Sequence, residues 1–217
     1  KLKDLSKELA VWLVPGSFYE KTEAGIYNTA PIFNPKGELV SKCRKLYPFL
    51  PYEIGITAGE DICVFEVPEI GKIGVHICYD LWFPETSRAL ALNGAEVILH
   101  PSLTDTCDRD VERAMVKATA AQQQCYYIDV NAGGKQGCGL SLIAGPDGEI
   151  LHDANIGEEI MLVEVDFARV RRCRQRGLKG LGQPIKSYRD NAFKELKESL
   201  DENYLKELGP LEKPKKE

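Results

Sequence analysis

Apolar residues along this chain fall mainly into short runs bounded by Gly, Pro, Asn and Asp, the pattern of buried strands joined by turns. Residues 1–10 read as the tail of an amphipathic helix whose beginning is absent. Residues 11–17 form an apolar run ending in Pro15-Gly16, which predicts a buried strand and its exit turn. Residues 26–33 and 38–41 flank Asn34-Pro35-Lys36-Gly37 and predict a hairpin, followed by a loop rich in Tyr and Pro over 45–59. Two further runs, 62–67 and 72–77, are bridged by Pro68-Glu69-Ile70-Gly71. Pro84, Glu85, Ala89, Leu90 and Leu92 then predict a short helix closed by Gly94, and 95–101 reads as a strand buried on both faces. Residues 108–124, rich in Ala, Glu and Gln, predict a helix with Thr106 or Asp108 as its N-cap. A strand at 126–130, a hairpin of 140–144 and 149–152 around Gly145-Pro146-Asp147-Gly148, and a last strand at 159–165 complete an α/β pattern with a mixed sheet system.

The composition changes near the C-terminus. Arg169, Arg171, Arg172, Arg174 and Arg176 form a basic run, read as a solvated helix face or an intersubunit ion-pair strip. Phe193, Leu196, Leu200, Tyr204 and Leu208 place one apolar stripe on a charged helix, and 209–217 reads as a tail. This divides the chain into a domain over 1–190 and a helical extension over 191–217.

Lys plus Arg is 28 and Asp plus Glu is 33, a net charge of −5, so no nucleic-acid partner is expected. No apolar run approaches the roughly 18 residues of a membrane span, so no membrane partner is expected either. The seven cysteines lack metal-site or redox-motif spacing, and the three histidines form no local metal motif. An odd cysteine count, without a basic and then apolar leader at the start, fits a reducing cytoplasmic setting.

Two segments carry candidate chemistry. In Ile73-Gly74-Val75-His76-Ile77-Cys78-Tyr79-Asp80, a strand delivers a thiol to a turn that leads into the helix beginning near Pro84. Backbone N–H groups and a helix dipole at such a corner favour the thiolate, of which an unperturbed thiol holds only a few per cent at neutral pH. In the second segment, Lys45 and Glu53 share a loop stiffened by Pro48, Pro51 and aromatic rings, which suggests a positioned ion pair.

Together these segments resemble the nitrilase superfamily of carbon-nitrogen hydrolases, in its amidase-like branch. The resemblance runs from about residue 9 to residue 190. It rests on the order and spacing of Pro15-Gly16-Ser17, Tyr27-Asn28-Thr29-Ala30, Asn34-Pro35-Lys36-Gly37, Arg44-Lys45, Cys78-Tyr79-Asp80 with Phe83-Pro84-Glu85, and Gly145-Pro146-Asp147-Gly148. It implies an αββα sandwich with mixed sheets, no metal or other cofactor, a homo-oligomer (dimer or higher) built through the sandwich faces, and a Glu-Lys-Cys triad. Lys45 matches the family's lysine, Cys78 its nucleophile, and Glu53 the second, supporting glutamate of many members. The general-base glutamate of the family ends a strand before the helix leading into 11–17. Its counterpart is therefore expected upstream of Lys1, in a hydrolase truncated at its N-terminus and lacking most of its first strand and helix.

The activity implied is hydrolysis of a non-peptide amide-type bond of a small molecule through a cysteine thioester, with the Tyr79 backbone N–H and Lys45 on the oxyanion. Tyr79-Asp80 after the nucleophile resembles the amidase and carbamoylase branches, whereas nitrilases of the family usually show Trp-Glu. Tyr52, Tyr79 and Trp82 are expected to line an aromatic substrate entrance. The alternatives are an N-carbamoyl hydrolase, for which the run near Arg172 would supply a cationic anchor, a nitrilase, and a non-catalytic nitrilase-like assembly subunit.

Overall fold

The computed structural model describes residues 1–191. The elements are α1 (Leu2–Leu9), β1 (Phe18–Thr22), β2 (Gly25–Phe33), β3 (Leu39–Arg44), β4 (Cys63–Val67), β5 (Gly71–Val75), a 3-10 turn (Cys78–Trp82), α2 (Pro84–Leu92), β6 (Val97–Ser102), α3 (Arg109–Gln123), β7 (Tyr126–Asn131), β8 (Leu142–Ala144), β9 (Ile150–Asp153), α4 (Phe167–Arg176) and α5 (Pro184–Asp190). They form a mixed α/β sandwich. The antiparallel sheet β1-β2-β3 packs against a sheet of order β4-β5-β6-β7-β8-β9, whose β5, β6 and β7 run parallel and whose flanks are antiparallel.

Alternation along the strands divides the core in two. Ala30, Ile32 and Cys43 meet Phe65, Val67, Val75 and Ile77 between the sheets. On the opposite face of the larger sheet, Ile98, Tyr127 and Leu142 pack under Leu90 of α2 and Val116 and Ala120 of α3. Strands buried on both faces need near-continuous apolar runs, which is why 95–101 and 126–130 were legible. Gly74 in β5 marks a close approach, because a Cβ there would lie 3.0 Å from the Ala95 Cβ and 3.2 Å from the Leu90 Cβ.

Three expectations are corrected and a fourth is extended. Residues 11–17 form no strand of a sheet; only Leu13 bridges, to Phe33, while Trp12 stacks on Phe65 with ring centroids 5.5 Å apart. The run keeps its apolar contacts without a ladder. Residues 159–165 pair with no strand among the described residues, and Ile160 and Leu162 are 88% and 87% exposed, so their alternation lacks a partner edge. Asp108 sits at the start of α3 but makes no side-chain cap bond, since its carboxylate takes the Thr106 hydroxyl instead. The arginine run is a solvated helix face at Arg171, Arg172 and Arg176 but is also an intrachain clasp: α4 buries Val170 against Val97 and Tyr126, Arg171 pairs with Glu96 at 2.7 Å, and Arg174 donates to the Ala95 and Gln124 carbonyls. The apolar stripe at 193–208, the tail at 209–217 and nearly all of the proposed extension lie outside the described residues.

Gly74→Val should destabilise the fold by about 1–3 kcal/mol through overpacking, seen as a lower urea midpoint at unchanged slope.

Candidate active site

The corner after β5 is made by a strained backbone. Cys78 has φ +49°, in the left-handed region, where a residue with a Cβ costs about 1–3 kcal/mol and persists only if its surroundings hold it. Two side chains do so. The Asp80 carboxylate accepts the Ile77 N–H at 2.9 Å, pinning the turn from within, and His100 Nε2 donates to the Cys78 carbonyl at 2.8 Å.

Asp80 also accepts the Tyr47 N–H at 2.9 Å, two residues beyond Lys45. It is fully buried; burial pushes its carboxyl pKa up, and the backbone N–H bonds offset this only in part. One carboxylate thus fixes the lysine loop to the cysteine corner. The sequence reading gave Asp80 no role, since a single acid after the nucleophile carries no signal of its own.

Lys45 follows β3 directly and is 2% exposed, with its Nζ 2.7 Å from Glu53 Oε2. A buried ammonium needs a counter-charge, and Glu53 is held ready for it. Besides Lys45, Glu53 accepts the Phe49 N–H at 2.5 Å and the Tyr19 hydroxyl and Asn28 Nδ2 at 3.2 Å each. Burial raises the Glu53 pKa, but the hydrogen bonds from Lys45 and Phe49 outweigh it and hold the carboxyl below its ordinary range. With its oxygens occupied by four donors, Glu53 is a counter-ion for Lys45.

Lys45, Glu53 and Cys78 share the wall of one cavity of about 800 Å³. Its apolar side comes from Phe18, Phe49, Leu99, Leu103 and Ile128, and its polar side includes Tyr19, Asn28, His100 and Asn131. The expected entrance rings of Tyr52, Tyr79 and Trp82 are corrected: none of these side chains lines this cavity. Tyr52 stacks on Phe49 and Tyr79 packs tilted against it, with centroids 4.8 and 4.7 Å away, and Trp82 Nε1 donates to Glu112 at 3.3 Å, so Phe49 is the ring presented and two of the others back it. His100 escaped the sequence reading because it follows Val97, Ile98 and Leu99 in a near-continuous apolar run. Tyr19 escaped because β1 is short and mostly polar.

Four of the other six thiols are more deeply buried than Cys78. Cys43, Cys63, Cys125 and Cys173 are buried away from the cavity, and burial pushes the Cys125 thiol up to about 12. No group of His, Cys, Asp and Glu among the described residues is arranged to hold a metal, and no described helix is long and apolar enough to cross a membrane.

The profile of the family described as carbon-nitrogen hydrolase matches residues 1–175. The chain is 29% identical over 182 residues to the chloroplastic omega-amidase of Arabidopsis thaliana, covering 77% of this chain and 49% of that protein. It is 30% identical over 197 residues to the deaminated glutathione amidase of Dictyostelium discoideum, covering 81% and 67%. Among solved structures, Nit3 of Saccharomyces cerevisiae, a member of branch 10 of the nitrilase superfamily, superimposes with a TM-score of 0.74 at 31% identity, covering 80% and 66%. The chain spans about half the length of the first of these relatives and about two-thirds of the other two.

Brief iodoacetamide treatment of the native protein should label Cys78 and the exposed Cys107 ahead of the four buried thiols, read by peptide mass. Cys125 labelling as fast as Cys78 would contradict the placement. Glu53→Gln leaves a buried ammonium unpaired and should cost about 3–5 kcal/mol at neutral pH. Because the folded pKa of Glu53 lies below the ordinary 4.5, its contribution is present above that value and is lost as pH falls through the folded pKa. The stability gap between wild type and variant should therefore close in acid, measured by urea unfolding at each pH.

Proposed function

The chain belongs to the carbon-nitrogen hydrolase family, and from that premise we propose that the protein hydrolyses a non-peptide amide through a thioester on Cys78. The observation that carries this reading is the convergence of Cys78, on its strained corner, with the ion-paired Lys45 on one cavity wall. The thiolate attacks the amide carbonyl and forms the C–S bond. Negative charge develops on the carbonyl oxygen, where the Lys45 ammonium and the Tyr79 backbone N–H stabilise it. The C–N bond then breaks, the amine leaves with the proton taken from the thiol, and water releases the acid and restores the thiol.

Glu53 is bound by its four donors and is the only carboxylate on the cavity wall among the described residues. We therefore assign the proton-carrying role to a glutamate outside the described residues, the general base of the Glu-Lys-Cys triad that the family resemblance implies. Two relatives bear amidase names and a third, 34% identical, is named a nitrilase, so the preference for an amide over a nitrile leans on Tyr79-Asp80 after the nucleophile. The ionic groups on the wall, Lys45, Glu53 and His100, are each paired within the protein, and the rest is largely apolar, which supports an uncharged acyl group. The carbamoyl reading loses its anchor, since Arg172 pairs with Asp166 at 2.9 Å and no arginine of α4 lines the cavity.

Small amides, carbamoyl compounds and nitriles should be compared for released ammonia, with trapped adducts mapped by peptide mass. Amides should turn over fastest. Cys78→Ala should abolish both turnover and adduct, and Lys45→Met should lower kcat by roughly 10²–10³ and, by stranding the Glu53 carboxylate, lower the melting temperature as well. An adduct on Cys125 or Cys138, or no turnover of any compound by the whole protein, would refute the proposal, the latter favouring a non-catalytic subunit.

A further inference from the structure

A buried chain of charges stands behind the nucleophile. His100, on β6, is fully buried, with Nε2 2.8 Å from the Cys78 carbonyl oxygen and Nδ1 2.7 Å from Asp129 Oδ1. Both partners can only accept if Asp129 is ionised, so both ring nitrogens must donate, which only the imidazolium does. Asp129 is shared with a second cation. It lies directly opposite His100 in the β6–β7 register, and its other oxygen takes the buried Arg109 guanidinium of α3. Arg109 also bonds Glu112 Oε2 at 3.1 Å and the Leu140 carbonyl at 2.9 Å. Glu112 Oε1 in turn accepts Trp82 Nε1 and the Thr104 hydroxyl, each at 3.3 Å, so the chain closes on the turn that starts at Cys78.

Two cations and two carboxylates therefore balance inside the protein, and the end facing the cavity is His100. The other neighbours of the ring are neutral. His76, 5.0 Å away between centroids, is driven well below its ordinary pKa by burial and then by the His100 charge, and burial keeps Tyr127, 5.7 Å away, a phenol. For His100 itself burial acts to lower the pKa, but the bond and charge of Asp129 prevail and raise it.

We propose that His100 is a positioning residue: its imidazolium clamps the Cys78 carbonyl, holds the nucleophile in its left-handed conformation, and keeps a positive charge against the backbone of the reacting cysteine. This rests on the reading of Cys78 as nucleophile. The clamp is complete below pH 6.5, the ordinary histidine value, and weakens only as pH rises through the higher folded pKa.

The first test is NMR of the whole protein labelled at its histidine rings. The His100 signal, identified by its loss in His100→Gln, should keep imidazolium shifts at pH 7 while His76 shows the neutral ring. A neutral His100 ring at pH 7 would overturn the proposal. The second test is the rate of Cys78 alkylation by iodoacetamide across pH 6–9. A charge-assisted bond of this kind corresponds to roughly tenfold or more. His100→Gln, which keeps an uncharged donor, should slow alkylation about tenfold and move the profile to higher pH; His100→Phe, with no donor, should slow it further. Profiles that overlay wild type, with amide turnover still lost in Cys78→Ala, overturn the clamp alone. Turnover that survives Cys78→Ala overturns the nucleophile and the clamp with it.

Discussion

Asp80 is the carboxylate on which the site depends. Lys45 comes from the end of a strand in the smaller sheet and Cys78 from just beyond a strand in the larger one, and no ladder joins the two sheets. Asp80 accepts one backbone N–H from each side, Tyr47 and Ile77, from a fully buried position. Hydrogen bonds to a charged group contribute about 1.5–3 kcal/mol, and leaving such a group unmatched costs more, so the two loops cannot drift apart cheaply. Tyr47 adds a second tie by stacking on Phe83, with centroids 3.6 Å apart and planes 7° from parallel.

Around that tie, charges are buried in pairs. Glu53 holds Lys45, Asp129 holds His100, and Glu112 shares Arg109 with Asp129. Such pairs contribute little net stability, because desolvation offsets most of the attraction. Their value lies in orientation: dipoles and charges already aimed at a reacting carbonyl need no reorganisation when charge develops there. The same logic explains a cysteine in a left-handed conformation. The strain is local, and the bonds from Asp80 and His100 offset it.

Much of the sandwich was legible because it follows from periodicity and punctuation. Asn34-Pro35-Lys36-Gly37 and Gly145-Pro146-Asp147-Gly148 announce their hairpins, and the apolar runs of β6 and β7 announce strands covered on both faces. The errors share a cause. Residues 11–17 and 159–165 have the composition of strands, but a strand also needs a neighbour to bond, and no local pattern shows whether one is there. Conversely β1, with Glu20, Lys21 and Thr22, is too polar to look buried and forms because it pairs with β2. At the site, Lys45, Glu53 and Cys78 were found through loop chemistry and family resemblance. His100, Asp129 and Arg109 were invisible, because their meaning arises from register across strands and from a helix far along the chain.

The account stands or falls on where a carbonyl sits when it meets this corner. A crystal structure of the Cys78→Ala protein with a small aliphatic amide bound tests this directly. The account predicts the amide oxygen within hydrogen-bond distance of Lys45 Nζ and the Tyr79 N–H, with the carbonyl carbon facing position 78. An amide seated elsewhere, with Lys45 bonded only to Glu53, would contradict it.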